Sequence, residues 1–190
     1  IDAVEAAADL GAKNILIAFF GNGDLRQNDA TGKMRNIGEG QFKIWELDSQ
    51  AVTRVVEVLR QIAPRAEDLG VALGLENTIT AKQNVEIIER VGSPIVQVYY
   101  DIANSSSNGY DVPNEIRILG KDRICEIHLK DNGKDVSRFD MPNAQINWEE
   151  VAKACKEIGF DKWYCLEESG RENKFIEDTQ YNVAHANKWL

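Results

Sequence analysis

The chain has 190 residues, of which 43% are hydrophobic and 28% charged, with a net charge of −9. That length is one domain able to bury a sizeable core. The acidic balance excludes a nucleic-acid partner, which needs a basic face, and disfavours an anionic membrane surface. No apolar run approaches the roughly 20 residues of a membrane span. The reading is of a soluble protein, with a cytoplasmic location favoured and export left open. The sequence begins inside a helical pattern without Met, so a preceding N-terminal part is expected. Three cysteines, Cys125, Cys155 and Cys165, fit neither a disulfide framework nor a CxxC metal site and read as buried free thiols.

In chain order, Ile1 to Leu10 places Val4, Ala7, Ala8 and Leu10 on one helical face, and Gly11 stops it. Lys13 to Phe20 is an apolar run of strand length without clean alternation, as expected of a parallel strand covered on both faces. Gly21 to Leu47 is long, polar and rich in Gly and Asn, and reads as a substrate loop or lid. Asp48 or Ser49 caps the next helix, with Val52, Val55, Val56, Leu59 and Ile62 as its buried stripe. Pro64 should kink or divide that helix, and Gly70 ends it.

Strand Val71–Glu76 follows. Thr80-Ala-Lys-Gln83 is a capping box opening a helix to Val91-Gly92. Strand Ile95–Asp101 precedes a polar loop, Ala103 to Asn108. A short helix starts at Asp111 and Pro113 and ends at Gly120. Strand Ile124–Leu129 leads into a second long polar connection, Lys130 to Ile146. Asn147 caps a helix ending at Gly159, strand Lys162–Glu167 comes next, and Lys174–Leu190 is amphipathic. Five strands alternating with helices predict a parallel sheet.

Four of these strands end the same way. Glu76, Asp101, His128 and Glu167 each close an apolar run, at separations of 25, 27 and 39 residues. A strand–helix unit takes about 30 residues or somewhat more, so each interval holds one unit and the four side chains form a ring at the strand C-termini. Alternation along the strands supports this: Glu76 shares its face with Gly74 and Ala72, Asp101 with Tyr99 and Gln97, and His128 with Glu126 and Lys130. An acid at a single strand end is commonly only a cap. Four in register suggest a site.

Three carboxylates and one imidazole suit Mn²⁺, Mg²⁺ or Co²⁺, with zinc also admissible. Such a set leaves room for two vicinal oxygens of a sugar or hydroxy-ketone, with acidification of the C–H beside the carbonyl. Glu76 and Glu167 on separate strands are the candidate acid/base pair for epimerisation or isomerisation. Glu168 competes with Glu167 as ligand, and parity does not choose between them. Lys130 is placed to reach a substrate oxygen, while Glu126 reads as a supporting residue.

At GLEN (74–77), YYDIAN (99–104), EIHLKD (126–131), INWEEVAKACKEIGF (146–160) and WYCLEE (163–168) the chain resembles the sugar phosphate isomerase/epimerase family, the xylose isomerase-like TIM barrels. The resemblance spans nearly the whole sequence. It implies a (β/α)₈ barrel of which residues 1–190 supply the last five βα units. It also implies one divalent metal, Mn²⁺ favoured, held by Glu76, Asp101, His128 and Glu167. The substrate would be a small sugar or polyol, with a homo-oligomer open. Asn104 stands where family members often carry a substrate-binding His, and Lys134 where they often carry Arg. These departures point away from a standard ketohexose. A dehydratase or lyase using the same enediolate chemistry, and a non-catalytic carbohydrate-binding barrel, are the alternatives.

Overall fold

The computed structural model describes residues 1–39, 43–132, 137–139, 143–167 and 171–190. Five strands, β1 (Asn14–Ala18), β2 (Ala72–Glu76), β3 (Val96–Asp101), β4 (Ile124–Leu129) and β5 (Trp163–Leu166), form one parallel sheet in sequence order. Seven α-helices accompany them among the described residues: α1 (Asp2–Asp9), α2 (Ser49–Leu69), α3 (Ala81–Val91), α4 (Ile102–Ser107), α5 (Val112–Leu119), α6 (Trp148–Glu157) and α7 (Phe175–Trp189). The sheet curves as part of a (β/α)₈ barrel, its strands parallel and staggered, with Leu75 opposite Val98, Asp101 opposite His128 and His128 opposite Cys165.

The core lies between the convex face of the sheet and the helices. Leu73, Leu75, Val96, Val98, Tyr100 and Ile127 pack there against Val56, Leu59, Ile87, Ile116 and Val151. Alternation sends Ala72 and Tyr99 to the concave face, where they form a separate small cluster with Cys125. β2 is buried along its whole length, as a central strand should be. β1 and β5 are each paired on one side among the described residues, and Leu16 and Trp163 are exposed on them.

Local sequence sets most boundaries. Asp48 caps α2 by accepting from the amides of Gln50 and Ala51, and Thr80 with Gln83 closes a reciprocal capping box on α3. Gly70 and Gly92 end α2 and α3 in the left-handed conformation that a side chain would strain.

Two expectations need correction. Pro64 does not divide its helix: α2 runs unbroken over 21 residues. The carbonyl that Pro64 cannot serve is that of Arg60; both residues are exposed, while Ala63 and Ala66 anchor the helix from the core. The polar stretch 103–108 is not a loop: residues 103–107 belong to α4 and Asn108 is its C-cap, the helix being started by the Asp101 carboxylate, which accepts from the amides of Ala103 and Asn104. The 21–47 connection folds back on itself through antiparallel bridges Arg26–Leu47, Asn28–Met34 and Asn36–Trp45. Among the described residues no helix is long and apolar enough to cross a membrane.

Candidate metal centre

The four strand ends converge. One ligand atom from each of Glu76, Asp101, His128 and Glu167 lies within 4.8 Å of every other. An ion bound at about 2.0–2.6 Å per ligand has a coordination sphere about 4–5 Å across, so the ring matches that size. Glu76, Asp101 and His128 are buried, whereas the Glu167 side chain is 47% exposed. The asymmetry follows from position: β2, β3 and β4 are interior strands, and Glu167 stands just beyond edge strand β5.

The donor atoms suit a cation. His128 Nδ1 is buried 3.1 Å from Glu167 Oε2 and 3.5 Å from Glu76 Oε1, yet makes a well-formed hydrogen bond with neither. A buried polar atom without a partner is uncommon and points to a missing one. Asp101 divides its two oxygens: Oδ1 caps α4 at 2.8 Å from two amides, leaving Oδ2 turned into the ring. Lys130 Nζ donates to Asp101 Oδ2 at 3.0 Å and to Glu167 Oε2 at 3.1 Å.

The electrostatics reflect this crowding. Burial disfavours a charged imidazole, but the Glu76, Glu167 and Asp101 carboxylates outweigh it and raise the His128 pKa. Burial raises the Asp101 pKa despite its amide and lysine partners. Burial would also raise that of Glu167, yet the Lys130 hydrogen bond and charge hold it below the ordinary carboxylate value.

Beneath the ring, the Tyr99 ring meets the His128 imidazole edge-on, with centroids 4.4 Å apart. A register irregularity between Val98 and Tyr99 opposes two residues of β4 to one step of β3. Cys125 and Glu126 both reach the concave side as a result: the Cys125 thiol donates to Val98 O at 3.3 Å, and Glu126 accepts from Asn14 Nδ2 at 3.0 Å. Simple alternation from His128 finds Glu126 but not Cys125.

Asn104 is half-buried one turn along α4, with its amide on Asp101. Lys134 and Glu168 lie outside the described residues, so the choice between Glu167 and Glu168 rests on Glu167 being in the ring. The 21–47 connection docks on the same face, where Gln83 donates to Trp45 O at 2.6 Å and Trp45 Nε1 to Asn108 Oδ1 at 2.8 Å. Sequence reasoning missed Asp131. It is buried and gathers the amides of Asn132, Gln145 and Ile146 and the Trp148 indole, which closes the β4–α6 connection. An acid two residues after a strand and 17 before a tryptophan carries no local signature.

Among proteins of known sequence, the chain is similar to a putative L-ribulose-5-phosphate 3-epimerase, SgbU, of Escherichia coli. The identity is 32% over 99% of this chain and 62% of that protein. Among solved structures it superposes on a D-psicose 3-epimerase with D-tagatose from Clostridium cellulolyticum, with a TM-score of 0.71, 19% identity, and 100% and 68% of the two chains covered. It also superposes on an IOLI protein with a binding zinc atom, with a TM-score of 0.66, 16% identity, and 100% and 68% covered. The chain thus spans less than two thirds of the length of this curated relative. The family described as "Xylose isomerase-like TIM barrel" matches residues 1–190, and the chain belongs to that family.

Proposed function

We propose that this chain carries the metal centre of a divalent-metal-dependent sugar epimerase or isomerase. The observation that carries the proposal is the ring itself: four ligand atoms within 4.8 Å, with His128 Nδ1 buried and unbonded. The similarity to proteins named as ribulose-phosphate and psicose 3-epimerases supports a ketose or related polyol as substrate. Glu76, Asp101, His128 and Glu167 would hold the ion, Mn²⁺ being favoured by three carboxylates and one imidazole. Once bound, the ion would polarise the substrate carbonyl and favour loss of the neighbouring proton.

The protein's own groups then divide the work. A carboxylate that gives one oxygen to an ion keeps the other for a proton, so Glu76 and Glu167 can serve as the acid/base pair. Glu76 is buried, which would slow exchange with solvent of a proton it takes from the substrate. Glu167 is half open and can exchange with water. Lys130, already paired to Asp101 and Glu167, and Asn104 on α4 are the substrate-facing candidates within the described residues. Lys134 remains a candidate from its sequence position.

The test is metal analysis of the purified protein beside Glu76→Gln and His128→Ala, followed by incubation with ketoses in D₂O. One ion per chain, lost in both variants, with deuterium entering the carbon next to the carbonyl, is expected. Protein that takes up no Mn²⁺, or binds it equally in both variants, refutes the reading.

A further inference from the structure

Helix α7 is seated on polar contacts at its N-terminal end. Its inward stripe runs Asp178, Asn182, His185, Ala186, Trp189. Only the last part is apolar, while Phe175, Ile176 and Val183 face solvent. Asp178 and Asn182 have no exposed surface at all. Asp178 Oδ1 accepts from Arg138 Nε at 2.8 Å and Arg171 Nη2 at 2.6 Å, and Oδ2 accepts from the Arg171 amide at 3.1 Å and Nε at 2.9 Å. Asn182, one turn on, accepts from the Phe139 amide at 3.0 Å and donates to Ser137 O at 3.0 Å. Glu177 adds a 2.5 Å contact to Arg138, whose guanidinium also lies 4.5 Å over the Tyr181 ring.

The two arginines come from different connections. Arg138 belongs to the segment after β4, which begins with Lys130. Arg171 lies four residues beyond Glu167. One carboxylate therefore ties together the chain following two members of the ring. Glu167 is the most exposed of the four ligands in this chain. Two bidentate-capable guanidiniums on a single carboxylate define direction as well as distance, and Arg171 holds the Asp178 carboxyl well below the usual carboxylate range.

We propose that α7 is a positioning clasp in which Asp178, through Arg171 and Arg138, fixes the connections after β5 and β4 and so sets Glu167 against His128 and Lys130. The inference rests on the ring being a metal site. Asp178 touches neither ion nor substrate in this scheme. It acts through Glu167, as outer partners that orient a ligand do.

The experiment is Mn²⁺ titration of the full chain as wild type, Asp178→Asn, Glu167→Gln and the double variant. Asp178→Asn should weaken Mn²⁺ binding about tenfold. In the Glu167→Gln background the same change should cost about twofold or less, because the ligand it positions is already impaired. Should Asp178→Asn fail to fold, Arg171→Gln carries the same expectation, since it cuts the arm nearest Glu167. Amide exchange in metal-free protein should rise at residues 137–139 and 171–174 while α3 stays protected. Asp178→Asn binding Mn²⁺ as tightly as wild type overturns the clasp alone. An equal loss in both backgrounds also overturns it, because that is what general destabilisation produces. Wild type that binds no Mn²⁺ overturns the metal reading and the clasp together.

Discussion

Gly74 lies at the centre of β2, on the concave face, two residues before Glu76, and Gly74→Ala tests how tightly the floor of the site is packed. A Cβ at this position would stand 2.7 Å from Cys125 Sγ, 3.0 Å from Tyr99 Cδ2 and 3.1 Å from Ile15 O. None of the three yields freely. The thiol is bonded to Val98 O, Tyr99 is braced between Glu126 and His128, and the carbonyl belongs to the backbone of β1. Overpacking of this kind costs about 1–3 kcal/mol. The lost freedom of the unfolded chain returns about 0.4–1 kcal/mol, so a net destabilisation of about 1–2 kcal/mol is expected. Denaturant unfolding should show a lower midpoint at unchanged slope. Displacement of Tyr99 should reach the His128 ring against it and weaken Mn²⁺ uptake. Cys125→Ala in the same chain removes the shortest contact, so the double variant should be more stable than the sum of the singles by about 1 kcal/mol. Gly74→Ala as stable as wild type, or strict additivity with Cys125→Ala, would refute the packing argument.

Three further outcomes follow from the same structure. Glu115 is buried on α5 with the Ala81 amide as its donor, and burial together with Asp111 lifts its pKa from 4.5 to about 7. A raised acid pKa stabilises the fold below pH 4.5 relative to higher pH and loses that benefit as pH rises through 7. Glu115→Gln should therefore match wild type near pH 4 and exceed it by about 2 kcal/mol at pH 6 and about 3 kcal/mol at pH 8 in denaturant melts. Saturating Mn²⁺, at about 100 times its dissociation constant, should add about 2.7 kcal/mol to wild-type stability and nothing to His128→Ala, read as a melting shift removed by chelator. Asp131→Ala leaves three amides without their acceptor and takes one of two acceptors from the Trp148 indole N–H, which keeps Phe139 O, so it should cost about 3 kcal/mol or more and change the near-ultraviolet signal of Trp148.

The sequence by itself determined the order and kind of most elements and the identity of the ring. Apolar runs closed by Glu76, Asp101, His128 and Glu167 are local signals, because a strand's alternation and end are set by residues adjacent in the chain. Caps at Asp48, Thr80, Asp111 and Asn147 are equally local, and all four hold. Tertiary structure decided what depends on neighbours distant in sequence. α4 exists because Asp101 spends one oxygen on its first amides. Pro64 is tolerated on the exposed side of α2, whose buried side is held by Ala63 and Ala66. Cys125 enters the concave face because the β3–β4 register slips by one residue, which no periodicity within β4 encodes. Asp131 and Asp178 are acids without a local motif, and their sets of donors are complete only when distant residues, Gln145 14 positions from Asp131 and Arg138 40 from Asp178, come within hydrogen-bond reach. Side-chain period is a property of one segment, whereas a buried carboxylate is defined by the donors that other segments bring to it.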